Sequence, residues 1–466
     1  MTLTSTIAIA LLMAAAAVVA PIGARASTLI VPLTGGRHRA IEPQTLFHTL
    51  FSDFFFEPDG TVYVQTGDIP AMWLRDSSAQ TIPYIRFEPA FPALRNRIAG
   101  VIERDAKNVL ADPYANAFQA SYHVWERKWE VDSLAWPVLL AWVYWQTTSD
   151  RSIFTNDLHR ALRQIVATYE CEERHARCSH YVYPYRVFTR NAYAANTGLI
   201  WSAFRPSDNP VYYRFNIPQN ALAAVAMRET AALASIGYGD AKLASAATEL
   251  GERVETGVLR YGRIYDAAHG GWMYAYEVDG LGHALLIDDA NIPDLLTLPY
   301  IGWCSAFDPT YLTTRNFVLS TANPYYYRGR YASGLGSDHT PVDNVWPLAI
   351  IGRALTSTSS LEIATAITTL AQTDGMDGLI HESFYVGGYW RYTRSDFGWA
   401  NALYAELLFR TIAGQSATPF VEPETMLPFE MRTQTPTSVP FVAQLENESS
   451  ILTALAQLLA ASDARR

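Results

Sequence analysis

The sequence has few basic residues and no long apolar run in its interior, and each shortage excludes a class of protein. Its 466 residues include 35 Lys and Arg against 45 Asp and Glu, for a formal net charge of -10 at pH 7. Because nucleic-acid binding requires clustered Lys and Arg that neutralise phosphates, no nucleic-acid partner is expected. After the N-terminal segment, no run reaches the roughly 18 uninterrupted apolar residues of a membrane span. The sequence therefore predicts no membrane span.

Cysteine is also scarce, with only Cys171, Cys178 and Cys304. The first two lie near His175 and His180, but this spacing matches no common structural zinc pattern. In an exported protein, a Cys171–Cys178 disulfide that closes a short loop is favoured. Free thiols and a zinc cluster are the alternatives.

The N-terminal residues are typical of an export signal. Ile7 to Val19 is a short, Ala-rich apolar run, and Ala24-Arg25-Ala26 has the small-x-small form of a cleavage site. We therefore predict a signal peptide over residues 1–26 and a secreted or periplasmic protein. Residues 1–5 contain no Lys or Arg, which leaves an N-terminal helix as the alternative.

Helical periodicity is the main pattern along the chain. Pro218 and Gly237 predict the two ends of one helix, and Ser359 with Glu362 forms a possible capping box for another. Helical spacing of apolar residues also occurs around residues 93–110, 133–147, 342–355 and 400–408. Strands are indicated only over short stretches, at 61–65 and 272–278. We predict an all-α fold, a helical toroid or bundle with short β-hairpins in its loops.

No Gly/Ser linker divides the chain, so we predict one catalytic domain over residues 27–415. Residues 416–466 add a Pro-rich stretch and a short helix at Ile451 to Leu459. Both are expected to pack on the same domain.

Polar residues are concentrated in loops at the ends of apolar helices, where function tends to lie. Two of these loops contain Asp208 and Glu382 among aromatic residues. Glycoside hydrolysis requires one carboxylic acid that protonates the leaving oxygen and one carboxylate that acts opposite it. Aromatic surroundings desolvate a carboxyl group, which raises its pKa and keeps it protonated. The two residues are therefore a candidate glycosidase pair, although their settings do not distinguish the acid from the base.

The chain resembles glycoside hydrolase family 125, the metal-independent exo-α-1,6-mannosidases, from about residue 66 to residue 409. The resemblance rests on long motifs in a fixed order: Gly67-Asp68-Ile69-Pro70-Ala71-Met72-Trp73-Leu74-Arg75-Asp76-Ser77, Asp112-Pro113-Tyr114-Ala115-Asn116-Ala117-Phe118, Val124-Trp125-Glu126-Arg127-Lys128, Asp288-Asp289-Ala290-Asn291 and Asp396-Phe397-Gly398-Trp399-Ala400-Asn401. It implies an (α/α)6 toroid, no cofactor, and inversion at the anomeric carbon. The implied reaction removes a non-reducing terminal α-1,6-linked mannose from a mannose-containing oligosaccharide or N-glycan.

The resemblance also assigns roles to residues. Asp208 matches the general acid in the Arg-Pro-Ser-Asp motif, and Glu382 matches the general base in the His-Glu-Ser-Phe motif. A second Asp often follows the acid in this family, whereas Asn209 stands here. By resemblance, the sugar-binding positions are Arg75, Asp76, Asp289 and His339. A helix cap or a buried ion pair is the alternative for each of them.

Three further functions are consistent with parts of the sequence. Asp288, Asp289 and Asp294 could hold a metal, and an α/α toroid with an Asp-rich loop is also found in terpene cyclases. No basic cluster is present to receive the diphosphate that such an enzyme binds. The second function is that of a glucoamylase- or trehalase-like glycosidase, and the third is carbohydrate binding without catalysis.

Overall fold

We describe a computed structural model of the chain over residues 29–32, 38–41, 43–184, 192–375, 377–412 and 441–463. The predicted signal peptide and the Pro-rich stretch up to residue 440 lie outside the described residues.

The described chain is mainly helical. Its α-helices are α1 (His48–Ser52), α2 (Leu74–Ile85), α3 (Arg95–Ala111), α4 (Val131–Thr148), α5 (Asn156–Glu173), α6 (His175–Cys178), α7 (Ile217–Leu233), α8 (Ala241–Tyr261), α9 (Pro309–Val318), α10 (Pro347–Leu355), α11 (Ser360–Gln372), α12 (Gly398–Ile412) and α13 (Phe441–Asp463). Short 3-10 or π turns occur at Pro43–Phe47, Pro92–Leu94, Arg151–Ile153 and Ala234–Tyr238.

The strands are short and antiparallel, and they lie in the loops between helices. They are β1 (Leu29–Pro32), β2 (His38–Ile41), β3 (Phe54–Phe56), β4 (Val62–Val64), β5 (Met72–Trp73), β6 (Ala117–Phe118), β7 (Val124–Glu126), β8 (Phe215–Asn216), β9 (Arg263–Asp266), β10 (Gly271–Tyr274), β11 (Glu277–Val278), β12 (Ala284–Leu285), β13 (Tyr326–Arg328), β14 (Ser333–Leu335), β15 (Asn344–Val345), β16 (Ser383–Tyr385) and β17 (Gly388–Thr393). Three-stranded sheets have the orders β5-β6-β7, β8-β11-β12 and β15-β16-β17.

Five helices and one irregular segment form a closed inner ring. Helix α2 packs against α4, α4 against α7, α10 against α12, and α12 returns to α2. Between α7 and α10, the buried segment 291–302 fills the inner position, and its Tyr300 hydroxyl donates to Glu406 of α12 over 2.8 Å. Each inner element is followed by an outer helix: α3, α5, α8, α9, α11 or α13. The fold is the predicted (α/α)6 toroid.

The inner helices are buried around their whole circumference, which requires that their polar side chains find partners. Residues 131–141 of α4 are all buried, as expected for a helix that is apolar on every side. Helix α2 is also buried throughout, and its Ser77 and Ser78 hydroxyls donate to Asp105 over 3.0 and 3.1 Å. Burial raises the pKa of Asp105 of α3 to about 8, so this carboxyl group is largely neutral between α2 and α3 at pH 7.

The ring closes where residues 48–68 meet residues 395–398, a contact that we call the seam. His48 Nε2 lies 2.8 Å from Asp396 Oδ2, and the Ser395 hydroxyl donates to Asp68 over 3.1 Å. Gly67 has a φ of +53°, and a Cβ at this position would lie 2.3 Å from the Asp396 carbonyl oxygen. Only glycine combines this backbone conformation with so close an approach.

Beyond the ring, α13 packs against α12 and the Pro43–Phe47 turn. Ile451, Leu455 and Leu459 are buried there, and the helix extends well beyond the predicted residues 451–459 on both sides.

Cys171 and Cys178 form a disulfide, as predicted, which removes both thiols from the alternative zinc cluster. Cys304 is a free, half-buried cysteine. Within the described part of the chain, no helix is both long and apolar enough to cross a membrane.

Candidate active site

The candidate catalytic residues lie at the end of the ring where the inner elements begin. Because an outer helix separates each inner element from the next, the inner elements run in the same direction and share one N-terminal end. Arg75 and Asp76 lie in the first turn of α2, Asp208 in the loop before α7, and Glu382 in the loop before α12. The toroid therefore brings Asp208 and Glu382 to the same end, although 174 positions separate them in the sequence (382 minus 208).

Asp208 lies at the tip of a tight turn. The Asp208 N–H donates to the Arg205 carbonyl over 2.9 Å, and the Arg205 N–H donates to the Asn209 carbonyl over 2.8 Å. Asp208 has a φ of 64°, in the left-handed region that Asp tolerates better than most residues. Its side chain is 14% exposed, so the carboxyl group can be reached from solvent.

Arg75 is the centre of a buried group of carboxyl side chains that we call the Arg75 cluster. Its Nη1 donates to Glu130 Oε2 over 2.7 Å, and its Nη2 donates to Asp208 Oδ1 over 3.3 Å. Asp132 Oδ2 and Asp76 Oδ2 lie 3.4 and 3.5 Å from the same guanidinium. The guanidinium therefore holds carboxyl groups from α2, α4 and the Asp208 turn in one constellation.

Two residues from the loop between α3 and α4 also reach Asp208. Asn116 Nδ2 donates to Asp208 Oδ1 over 3.3 Å. Lys128 Nζ lies 3.6 Å from Asp208 Oδ2 and 2.7 Å from Glu126 Oε1. Both donors flank the sheet β5-β6-β7, which fixes this loop against the start of α2.

Carboxyl groups outnumber cations in this region, and burial raises the pKa of several of them. Burial raises the pKa of Asp76 to about 7 and that of Asp132 to about 6, although Arg75 opposes both shifts. Burial raises the pKa of Glu130 well above its usual range, again against the effect of Arg75. The Arg75 cluster therefore holds protons near neutral pH.

Comparison with known proteins identifies the family. A family model described as metal-independent alpha-mannosidase (GH125) matches residues 40–409. The Meiotically up-regulated gene 157 protein of Schizosaccharomyces pombe is 36% identical over 389 residues, which cover 74% of this chain and 75% of that protein. The chain belongs to the GH125 family.

Solved structures agree with this assignment. A metal-independent α-mannosidase of Streptococcus pneumoniae, in a non-productive complex with α-1,6-mannobiose, has a TM-score of 0.76 and 37% identity and covers 78% of this chain and 92% of its own. A glucoamylase of Saccharomycopsis fibuligera shares the fold, with a TM-score of 0.55, 11% identity, and coverage of 79% of this chain and 94% of its own. The protein is thus an α-mannosidase of the glycoside hydrolase class.

The protonation of Asp208 in this α-mannosidase differs from the sequence expectation. Burial raises its pKa, as expected. Lys128 and the hydrogen bond with Glu130 outweigh burial and leave the pKa of Asp208 below its ordinary value. The expectation that aromatic surroundings alone keep this carboxyl group protonated is wrong, because the neighbouring charges decide the outcome.

Glu382 has different surroundings. Its N–H donates to the Thr393 carbonyl over 3.3 Å, and Ser383, the first residue of β16, accepts a hydrogen bond from Asn344 over 2.9 Å. Glu382 is 8% exposed, and no protein group of the described chain hydrogen-bonds or ion-pairs with its carboxylate. The Arg75 guanidinium lies 5.7 Å over the ring of Trp399, near the start of the helix that follows the Glu382 loop.

The remaining predicted sugar-binding residues adjoin the Asp208 turn. Asp289 accepts a hydrogen bond from the Ser207 hydroxyl over 2.7 Å. The side chain of the exposed His339 contacts that of Asn209, with 3.0 Å between His339 Nδ1 and Asn209 Oδ1. Asn209, the departure from the family pattern, therefore links the Asp208 turn to the loop before α10.

The metal site considered for the Asp288–Asp294 segment is not formed by the described residues. Asp288 accepts from the N–H groups of Leu295 and Leu296 over 2.8 and 3.1 Å, and Asp294 accepts from the Thr297 N–H over 2.7 Å. These two carboxylates cap the turns of segment 291–302. Asp76 is not an N-cap, because Trp73 occupies that position of α2.

Sequence reasoning assigned no role to Asn116, Lys128, Glu130 or Asp132. The first two lie inside motifs used for the family resemblance, and the last two begin the apolar helix α4. Two acids at the start of a helix that is otherwise apolar all round are a usable signal, because buried charges require partners. The partner, Arg75, is too distant in sequence to be found that way.

Proposed function

We propose that the enzyme is an exo-acting, inverting α-mannosidase that releases non-reducing terminal α-1,6-linked mannose from glycans or manno-oligosaccharides. The observation that carries the proposal is the placement of Asp208 and Glu382 on separate loops at one end of the toroid, with opposite surroundings. The Streptococcus pneumoniae relative, solved with α-1,6-mannobiose, supports the linkage.

In the proposed reaction, Asp208 protonates the glycosidic oxygen as the bond to the anomeric carbon breaks. Glu382 accepts a proton from the water that attacks the opposite face. A base must have a lone pair available to that water, and the Glu382 carboxylate has no protein partner in the described chain. Asp208 is instead surrounded by donors, which position it toward the leaving group.

Arg75, Asp76, Asp289 and His339 are proposed to bind the sugar. His339 is exposed beside the Asp208 turn, where it can orient hydroxyl groups of the terminal mannose, whereas the buried Asp289 contributes by holding that turn through the Ser207 hydroxyl. Arg75 contributes by fixing the carboxyl groups around it, since its guanidinium already faces Glu130, Asp132 and Asp208.

Proton NMR of α-1,6-mannobiose during hydrolysis tests the reaction. The first product is expected to be β-mannose, which mutarotates later. A reducing-end-labelled α-1,6-mannotriose should lose one mannose at a time from its unlabelled end. Initial α-mannose would show retention, an internal cut would rule out exo action, and intact substrate would reject the proposed linkage.

Removal of metal ions is expected to leave activity unchanged, because the family is metal-independent and the Asp288 and Asp294 carboxylates cap backbone N–H groups. The measurement is mannobiose hydrolysis after EDTA treatment. Among the described residues, His48, Asp53 and Asp396 have potential metal-ligating atoms within 4.8 Å of one another. A loss of activity in EDTA that calcium restores would contradict the prediction and direct attention to this group.

We further propose that the protein is exported. The sequence of residues 1–26 and the Cys171–Cys178 disulfide support this location, because disulfides persist in oxidising compartments. N-terminal sequencing of the protein from its source should begin near Ser27, whereas a start at Met1 would contradict a cleaved signal peptide.

A further inference from the structure

Glu130 and Asp208 share their hydrogen-bond donors. The two Nη atoms of Arg75 donate to both groups, over 2.7 Å to Glu130 and 3.3 Å to Asp208. Each carboxyl group also shifts the pKa of the other, upward at Glu130 and downward at Asp208, as expected where Glu130 carries a proton beside an ionised Asp208. An ionised carboxylate is only an acceptor, so two carboxyl groups can hydrogen-bond only when one of them carries a proton.

Asn116 supports the same conclusion. Its Nδ2 lies 3.1 Å from Glu126 Oε2. The same nitrogen lies 3.3 Å from both Glu130 Oε1 and Asp208 Oδ1. An amide nitrogen has two hydrogens, so it cannot satisfy three carboxylate oxygens fully. A proton between Glu130 and Asp208 supplies the missing donor.

The charges around the pair also require a proton. The titratable or charged groups that face the pair are Arg75 and Asp76 from α2, Asp132 from α4, Glu126 and Lys128 from the loop before α4, and His339 from the loop before α10. With Glu130 and Asp208 included, five carboxyl groups face the two permanent cations Arg75 and Lys128. Buried like charges so close together cannot all ionise.

We propose that Glu130 is a positioning residue that stores the proton which Asp208 delivers to the leaving group. The inference rests on the proposed function. Glu130 is fully buried and cannot touch substrate, whereas Asp208 can. Glu130 therefore acts only through Asp208, its neighbour across the shared donors Arg75 and Asn116.

The proposed step conserves atoms and charge. The proton of Glu130 passes to Asp208, which delivers it to the glycosidic oxygen as the bond to the anomeric carbon breaks, so both carboxyl groups are then ionised. The attacking water forms the new carbon–oxygen bond and gives its proton to Glu382. Solvent then returns one proton to the pair through Asp208, and Glu382 releases one to solvent, so no net proton is consumed.

The variant Glu130→Gln tests the inference, because Gln keeps the shape and can accept from Arg75 but cannot give up a proton. Two substrates are compared: α-1,6-mannobiose, which needs an acid, and 2,4-dinitrophenyl α-mannoside, whose leaving group does not. General acid catalysis contributes typically ~10²–10⁴-fold. We expect a loss on the order of 10²-fold with mannobiose and less than about 5-fold with the aryl mannoside.

Glu277→Gln is the matched control. Glu277 is as buried as Glu130, and it holds the Asp208 region by accepting from Arg205 Nε over 2.6 Å and from the Tyr212 and Tyr213 N–H groups over 2.7 and 2.8 Å. It makes no hydrogen bond to Asp208 in the described structure. Glu277→Gln can affect activity only by disturbing the structure around Asp208. Any loss of turnover should therefore be the same for both substrates.

The pH profile gives a second readout. Activity on mannobiose should fall as pH rises and the pair loses its proton. Burial raises the pKa of Glu130, which keeps the proton available to higher pH in the unaltered enzyme. In Glu130→Gln the fall should occur at lower pH, because Asp208 alone has a lowered pKa. Glu277→Gln should show the profile of the unaltered enzyme.

If Glu130→Gln lowers turnover of both substrates by the same factor and keeps the pH profile of the unaltered enzyme, the inference is overturned. The proposed function fails separately, if the unaltered enzyme does not cleave α-1,6-mannobiose. A measurement on the unaltered enzyme covers a variant that does not fold: the pH dependence of the ratio of the mannobiose rate to the aryl mannoside rate. The ratio should persist to pH values at which an isolated carboxyl group with the lowered pKa of Asp208 would be ionised, whereas a ratio that falls below the ordinary titration range of Asp would remove the relay and leave Asp208 as a simple acid.

Discussion

Replacement of Asp208 by Asn is expected to lower turnover of α-1,6-mannobiose by about 10³-fold or more, because no proton then reaches the glycosidic oxygen. Cleavage of 2,4-dinitrophenyl α-mannoside should fall by less than about 10-fold, since its leaving group departs without protonation. The measurement is kcat for both substrates at one pH. The size of the difference between the substrates identifies the acid.

Asp343→Asn is the control for this variant. Asp343 has a φ of 63° against 64° for Asp208, and it is exposed in the loop before α10. The same substitution in the same backbone conformation should leave both activities nearly unchanged. If Asp208→Asn retains near-normal turnover of mannobiose, another residue must be the acid.

Replacement of Glu382 by Gln is expected to lower turnover of both substrates by several orders of magnitude. The attacking water must lose a proton whichever leaving group departs, so an activated leaving group cannot compensate for a missing base. The measurement is kcat for the same two substrates. The contrast with Asp208→Asn therefore separates base from acid within one experiment.

The stability of Glu382→Gln is its internal control. The Glu382 carboxylate has no protein partner in the described chain, so the substitution removes no hydrogen bond and should not lower the free energy of unfolding. A melting temperature close to that of the unaltered enzyme would show that lost activity is chemical. Substantial hydrolysis of mannobiose by a folded variant would remove Glu382 from the mechanism.

The helices could be predicted from the sequence because their apolar residues follow local periodicity. The patterns at residues 93–110, 133–147 and 400–408 correspond to α3, α4 and α12. The pattern at 342–355 was predicted too long, since α10 begins at Pro347 and the preceding residues form β15. Pairing of β15 with β16 is a long-range contact that local spacing does not contain.

The predicted end of α7 also differs from the structure. Pro218 lies in the first turn as predicted, but the helix continues into a π turn at Ala234–Tyr238 and ends at Gly239, which has a φ of 63°. Gly237, the predicted stop, lies within that turn. A Cβ there would lie 2.2 Å from Cδ1 of Phe154, so close packing explains the glycine. Sequence alone does not distinguish a packing glycine from a terminating one.

The candidate site, too, could be predicted from the sequence only in part. Motifs place Asp208 and Glu382 by resemblance, and the toroid explains how they come to one end of the ring. The Arg75 cluster could not be predicted, because Arg75, Glu130 and Asp208 lie on three separate elements. Their protonation depends on the sum of all charges in a buried volume, which only three-dimensional contacts reveal.

The seam allows the ring to close only late in synthesis of the chain. His48 and Asp396, which meet there, are 348 positions apart, so the ring stays open until nearly the whole catalytic region has left the ribosome. Meanwhile α2, buried along its entire length in the finished ring, lacks the neighbour that covers one of its sides. Such late, long-range closure slows folding and leaves on the nascent chain an exposed surface that is prone to aggregation. Ribosome-bound chains that end before α12 should accordingly recruit chaperones, and chains that include α12 should release them.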